Sequence, residues 1–368
     1  MIKLIELHNK DVINGNDKRI CGLDLIRVCA IFFVIAGHFF TLNTSFKNVP
    51  FIGFSMFVQG IMISVFMVGV PLFIMLTGYL NINKQPTKKY YKGMIRVLVA
   101  YLLFSIITIL FRTYFLGEER SFTQWGSAIL NFSAIQYAWY IEMWIGLALL
   151  TPFLNYMWYA IPTMHKKLTL IALLFVMTSF PDLGNGPGKH FFPDYFAKAC
   201  YPLMFYFIGT FIREYQPTIK KYIGLIVLFS ISFINPFLNL IVYRGTHNIV
   251  EFTGGPGGVF NTWIAIAIFL MLYRRDIKFK PVKQWITHCS MVSLEMYLCC
   301  YIFDQLYYPY FKEHFYVTQS QFLAWFFVIV PLCFLSSYLT ATIYNSLKDL
   351  IEKCVTRVVN RCSLTIVR

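Results

Sequence analysis

Long uncharged apolar stretches, separated by short basic segments, decide what this chain can fold into. A helix needs about 20 apolar residues to cross roughly 30 Å of hydrocarbon. Runs of that kind begin near Leu23, Phe57, Val97, Ala134, Tyr222, Val259, Trp285 and Gln321. Two shorter runs, 168–180 and 199–212, stand or fall as a pair, and counting them brings the expected spans to ten. The uncharged stretch 48–83 is too long for one upright helix, and Pro71 predicts a kink within it. With 58% hydrophobic and only 13% charged residues, the chain holds more apolar side chain than a water-soluble fold can hide. The expected fold is an all-α, polytopic membrane helix bundle of about ten transmembrane helices.

The formal net charge of +15 would suggest nucleic acid on a soluble protein. Here it sorts by loop. Residues 1–19, 84–96, 166–167, 213–221, 274–283 and 348–368 hold twenty-four Lys and Arg. The alternate segments hold six: Lys47, Arg112, Arg120, Lys189, Arg244 and Lys312. Such alternation is a strong positive-inside signal and predicts that both termini are cytoplasmic. The excess is therefore a topological address, and no nucleic-acid partner is expected. Seven acidic residues, Asp304 among them, are assigned to the outer segments. The polar opening of the chain does not read as a cleavable signal peptide. The expected organisation is a cytoplasmic segment over 1–19, a membrane domain over 20–347 and a short basic cytoplasmic tail over 348–368, helical and held at the lipid surface. Nine cysteines show no CxxC spacing, so neither a disulfide scaffold nor a zinc site is expected, and no metal is assigned.

A charge in hydrocarbon costs at least a few kcal/mol and needs a reason to be there. The first run reads GLDLIRVCAIFFVIAGHFFTL. Asp24 and Arg27 are three apart and can pair on one helical face. Arg27 and His38 are eleven apart, on one stripe, separated by roughly 16 Å along the axis. Of the seven histidines, His38 is the one well inside an apolar run. Spacing leaves two readings open: a working Arg/His pair, or a histidine bonded to a neighbouring helix with Arg27 reaching lipid phosphate. Glu142 and Glu295 also fall in apolar runs, where either could orient His38 or pair with a buried cation. The Gly/Pro-rich segments around 181–195 and 243–260 read as connecting loops, and TGGPGG lacks the Lys-Ser/Thr ending of a phosphate loop.

The first run, with Arg27, ten residues, then His38, and Leu23-Asp24 before them, resembles the acyltransferase 3 family of integral-membrane O-acyltransferases. VPLFIMLTGYL, the basic segment KKYYKGMIR, WYIEMWIGLALLTPFL, FYFIGTFI and SLEMYLCCYIF follow in that family's order, over about residues 20–310. Two positions depart from its pattern: Tyr137, and the pair Cys299-Cys300, stand where a histidine is common in the family.

The resemblance implies transfer of an acyl group, most often acetyl, from cytoplasmic acyl-CoA to a hydroxyl of a surface glycan or glycolipid, by a multi-pass protein of the cell membrane. No tightly bound cofactor is implied, only acyl-CoA as co-substrate. Arg27 would grip CoA phosphate bidentately. Lys88, Lys89 and Arg96 would add attraction for the polyanionic donor. His38 would act at the thioester as base or as acyl carrier, with Glu142 the candidate to orient it and Asp24 orienting Arg27. Trp139, Tyr140, Glu295 and Tyr297 are candidates to line the substrate site. A transporter or flippase for a lipid-linked sugar is the competing reading. It predicts inverted repeats and polar residues spread over several helices, whereas the sequence shows no internal duplication and concentrates its pair in the first run.

Overall fold

The computed structural model describes residues 19–42, 53–181, 197–243 and 255–366, and no strand occurs among them. In chain order the helices are α1 (Cys21–Thr41), α2 (Phe54–Phe66), α3 (Gly69–Asn81), α4 (Lys88–Tyr114), α5 (Phe122–Leu130), α6 (Trp139–Ala160) and α7 (Met164–Ser179). They continue with α8 (Ala197–Tyr215), α9 (Lys221–Tyr243), α10 (Val259–Leu272), α11 (Lys280–Met291), α12 (Ser293–His314) and α13 (Gln319–Ile366).

Five stretches are each long and apolar enough to cross a bilayer: α1, α2 with α3, α4, residues 221–238 of α9 and residues 319–350 of α13. The α11–α12 pair qualifies as a sixth, bent by 74° at Val292. Helices α6, α7, α8 and α10 fall short by length or composition, yet ten crossings remain compatible with this architecture. The all-helical bundle is that of a multi-pass membrane protein.

Helix α1 is the hub. Its apolar stretch is 72% buried, against 22% for that of α9. It packs on α2, α3, α11, α12 and α13. Helices α4 and α9 stand at the periphery with Leu102, Ile106, Leu110, Ile226 and Phe233 exposed, as lipid-facing helices require. The closest crossing joins α3 to α8. A Cβ on Gly78 would collide with the Tyr206 carbonyl, and one on Gly209 with that of Met75, so a small residue on each helix lets the backbones meet.

Four expectations are corrected. The run beginning at Ala134 does not start a helix there. Residues 131–138 form turns that fold into the core, burying Ala134, Ile135, Tyr137 and Ala138. Arg112, in the last turn of α4, explains it: its guanidinium donates to the carbonyls of Ser133 (3.1 Å) and Ala134 (2.9 Å), which helix partners would otherwise have to satisfy. Arg112 is thus a buried anchor, not a loop charge. Asp304, assigned by sequence to an outer segment, is fully buried within α12, because that helix continues unbroken to His314. The kink expected from Pro71 is a break at residues 67–68, with Pro71 in the first turn of α3, where a missing N–H costs little.

Candidate active site

At the end of the bundle where α1 begins, Asp24 organises a charged cluster. Arg19 grips it bidentately (Nε to Oδ2 2.6 Å, Nη2 to Oδ1 2.9 Å). The Ser290 hydroxyl, in the last turn of α11, donates to Oδ1 at 2.7 Å. Arg27 is only a secondary partner of Asp24, at 3.5 Å, and donates instead to Ser290 Oγ at 2.8 Å. Asp24 therefore serves Arg19 first. The remaining nitrogens of Arg27 make no hydrogen bond among the described residues, and the side chain lines two cavities that meet at it.

The outer of these is a basic vestibule of about 700 Å³. Arg19, Arg27, Lys84 and Arg213 line it, with Asp24 as the one carboxylate in its wall. The second is an apolar slot of about 360 Å³, lined by Val34, Val70, Phe73, Leu76, Tyr140, Trp144 and Tyr297 among others. Arg27, Leu80, Ser293 and Leu294 belong to both walls, so the two form one path from a cationic mouth into an apolar interior. Both residues that open α12, Ser293 and Leu294, reach that path because the bend at Val292 turns α12 inward there.

Beyond the slot lies His38. Its Nδ1 is 3.6 Å from Asp304 Oδ2 and 3.9 Å from Cys300 Sγ. Asp304 and Cys300 sit one turn apart on α12, so both reach the same ring edge. The Tyr137 ring packs on the imidazole with centroids 3.8 Å apart, and its hydroxyl donates to Asp304 Oδ2 at 2.7 Å. The Tyr297 hydroxyl, from the wall of the slot, donates to the Tyr137 carbonyl. Next to His38 in sequence, Phe39 stacks on Phe322 at 3.7 Å and meets Phe326 edge-on, closing the bundle on that side.

Of the residues singled out by sequence, Arg27, Tyr140 and Tyr297 meet in the slot, and His38 lies two contacts beyond, from Tyr297 through Tyr137. The others are elsewhere. Glu142 is exposed on α6 and Trp139 is 42% exposed, since the two point away from the packed side of that helix. The carboxylate facing His38 is Asp304. Glu295 is buried, but it lines neither cavity, and its Oε2 has no hydrogen-bond partner among the described residues. Lys88, Lys89 and Arg96 are exposed along the start of α4 and line neither cavity. The vestibule takes Arg19, Lys84 and Arg213 in their place, all three sorted by sequence into basic loops.

Asp304 had a legible signal. Tyr297, Cys300 and Asp304 follow at spacings of three, then four, on one face of an otherwise apolar run. Nothing in the sequence pointed to Arg213 over its neighbours; its place over the Tyr79 ring, 5.2 Å from the centroid, comes from the α3–α8 crossing.

The chain is thus a multi-pass membrane helix bundle that buries a His–carboxylate pair beyond a slot opening on a cationic mouth. The family model described as "Acyltransferase domain" matches residues 21–342, and the chain belongs to this acyltransferase 3 family. No curated protein and no solved structure matches the chain.

Proposed function

We propose that this membrane acyltransferase moves an acyl group, acetyl by preference, from cytoplasmic acyl-CoA to a hydroxyl of a cell-surface glycan or glycolipid. The observation that carries the reading is the path from the basic vestibule, past Arg27, into an apolar slot whose wall residue Tyr297 bonds to Tyr137, which in turn packs on His38 and bonds to Asp304. On this reading the vestibule end, where the basic segments 84–96 and 213–221 also lie, faces the cytoplasm of a cell-membrane protein.

The chemistry follows from the residues. CoA is a polyanion with a narrow, mostly uncharged arm ending in a thioester. Arg19, Lys84 and Arg213 supply cationic contacts for its phosphates, and Arg27, at the junction, has guanidinium nitrogens free for a bidentate grip. The arm suits the apolar slot, with the acyl end toward Tyr140 and Tyr297. Asp304 facing Nδ1 favours the tautomer with a proton there, leaving Nε2 as the base. Nε2 takes the proton of the acceptor hydroxyl as its oxygen attacks the thioester carbonyl; the C–S bond breaks, and the CoA thiolate leaves to take up that proton. The 3.6 Å separation of His38 and Asp304 closes to a hydrogen bond with a small shift, as is common before a substrate is bound.

The test is O-acetylation of the surface glycan in cells carrying wild-type, His38→Ala or Arg27→Ala protein at equal levels. Loss in both variants supports the reading. Retained acetylation in well-expressed His38→Ala overturns it.

A further inference from the structure

We infer that Tyr137 is a positioning residue for this reaction. Its hydroxyl fixes the Asp304 carboxylate against His38 Nδ1, and its backbone, held by Tyr297, ties that pair to the wall of the donor slot. The inference rests on the reading of His38 as the base.

Tyr137 is 1% exposed and held at both ends. Its phenol donates to Asp304 Oδ2 at 2.7 Å, the same oxygen that lies 3.6 Å from His38 Nδ1. Its carbonyl accepts from the Tyr297 hydroxyl, whose ring lines the slot. The turn that carries it is clamped by Arg112 through the carbonyls of Ser133 and Ala134. Tyr301 meets its ring edge-on at 5.4 Å.

A carboxylate can turn about its last side-chain bond and present either oxygen in a range of directions. The Tyr137 hydroxyl removes that freedom: with Oδ2 committed to the phenol, the oxygen facing Nδ1 is held in place. Among the described residues, Cys300 and Tyr308 on α12 and Cys333 on α13 also face the pair. Cys300 also touches Tyr297, through its thiol and the Tyr297 carbonyl at 3.2 Å, whereas Tyr137 joins the Tyr297 hydroxyl, on the ring that lines the slot, to the Asp304 carboxylate.

Tyr137→Phe keeps the ring on His38 and removes only the hydroxyl. The experiment uses native membranes with acetyl-CoA and follows CoA release for wild type, Tyr137→Phe, Asp304→Asn and the double variant, together with acetyl-CoA binding by the purified full-length proteins. Tyr137→Phe is expected to lower kcat about tenfold to a hundredfold, the size of a hydrogen bond to a charged group, with KM and acetyl-CoA affinity within about twofold of wild type. The double variant is expected to match Asp304→Asn, because a residue acting through Asp304 has nothing left to act on. Asp304→Ala, which also removes the carboxylate, replaces Asp304→Asn in the cycle if the latter does not fold. An active wild type with Tyr137→Phe at full kcat, or with the two losses multiplying in the double variant, overturns this proposal alone. Wild-type membranes that release no CoA overturn the donor reading and this proposal together.

Discussion

The Asp304 carboxylate, fully buried in α12, faces Nδ1 of His38 in α1 at 3.6 Å, and no other acidic side chain among the described residues comes as close to that ring. A buried carboxylate on one ring nitrogen fixes which nitrogen is left to take a proton. Asp304→Asn keeps the shape but loses the charge. It is expected to lower acyl transfer by at least about a hundredfold at unchanged acyl-CoA affinity, the lower bound for a disabled acid–base pair. Glu142→Gln, changed on the exposed face of α6, is expected to stay within about twofold. Turnover assays at matched expression check both; wild-type turnover in Asp304→Asn would remove the carboxylate from the mechanism.

The vestibule makes a contrast between cations. Arg213→Ala with Lys84→Ala takes two of its four positive charges away and is expected to raise KM for acyl-CoA about tenfold, with kcat little changed. The effect should shrink in about 1 M salt, where charges are screened within a few ångströms. Lys88→Ala with Lys89→Ala, on the exposed start of α4, is expected to shift KM less than about twofold. Equal effects of the two pairs would mean that the cationic surface as a whole, and not the vestibule, attracts the donor.

The α3–α8 crossing predicts a stability defect remote from the chemistry. Gly78→Val pushes side-chain atoms into the Tyr206 carbonyl and must move a backbone. A loss of about 1–3 kcal/mol is expected, the range for overpacking. Thermal unfolding monitored by fluorescence-detected size exclusion reads it, and an unchanged midpoint would show that the helices can part there without cost. Because the same crossing places Arg213 at the vestibule, acyl-CoA affinity should fall as well.

Glu118 offers a pH test outside the spans. The hydrogen bonds from Arg112 hold its carboxyl below the usual carboxylate range, outweighing burial, with the charges of Arg112 and Arg120 adding to the effect. A group held low in the folded state stabilises the protein above the pKa it has when unfolded, and that contribution fades as pH falls through the folded value. Wild type is therefore expected to be more heat-stable than Glu118→Gln at pH 7. The gap should close as pH falls below the ordinary glutamate value of about 4.3. A gap that stays constant as pH falls from about 5 to about 2 would sink this account.

Much of the architecture was legible because burying apolar length in lipid is a local requirement. The runs beginning near Leu23, Phe57, Val97, Tyr222, Val259 and Gln321 all became helices, and the marginal runs 168–180 and 199–212 both did too. Legibility failed where a distant partner outweighed local pattern. Ala134 reads as helix, but Arg112 draws its carbonyl into a turn. Trp285 opens an apolar run, but that run breaks at Val292, where Ser290 turns its hydroxyl to Asp24 and its carbonyl to the Ser293 hydroxyl. Asp304 looked like a loop acid because the polar residues after it suggest the end of a span.

By itself the sequence determined that the chain is a helical membrane bundle of the acyltransferase 3 family, and that Arg27 and His38 share one stripe of α1. Those are properties of apolar length and helical period, which a single segment carries. Which groups meet them was decided by tertiary structure alone. Asp304 faces His38, Tyr137 holds Asp304, and Arg19, Lys84 and Arg213 ring the mouth at Arg27. These partners come from five different segments. Their meeting depends on how helices cross at Gly78 and Gly209 and bend at Val292, and no period in the sequence encodes that.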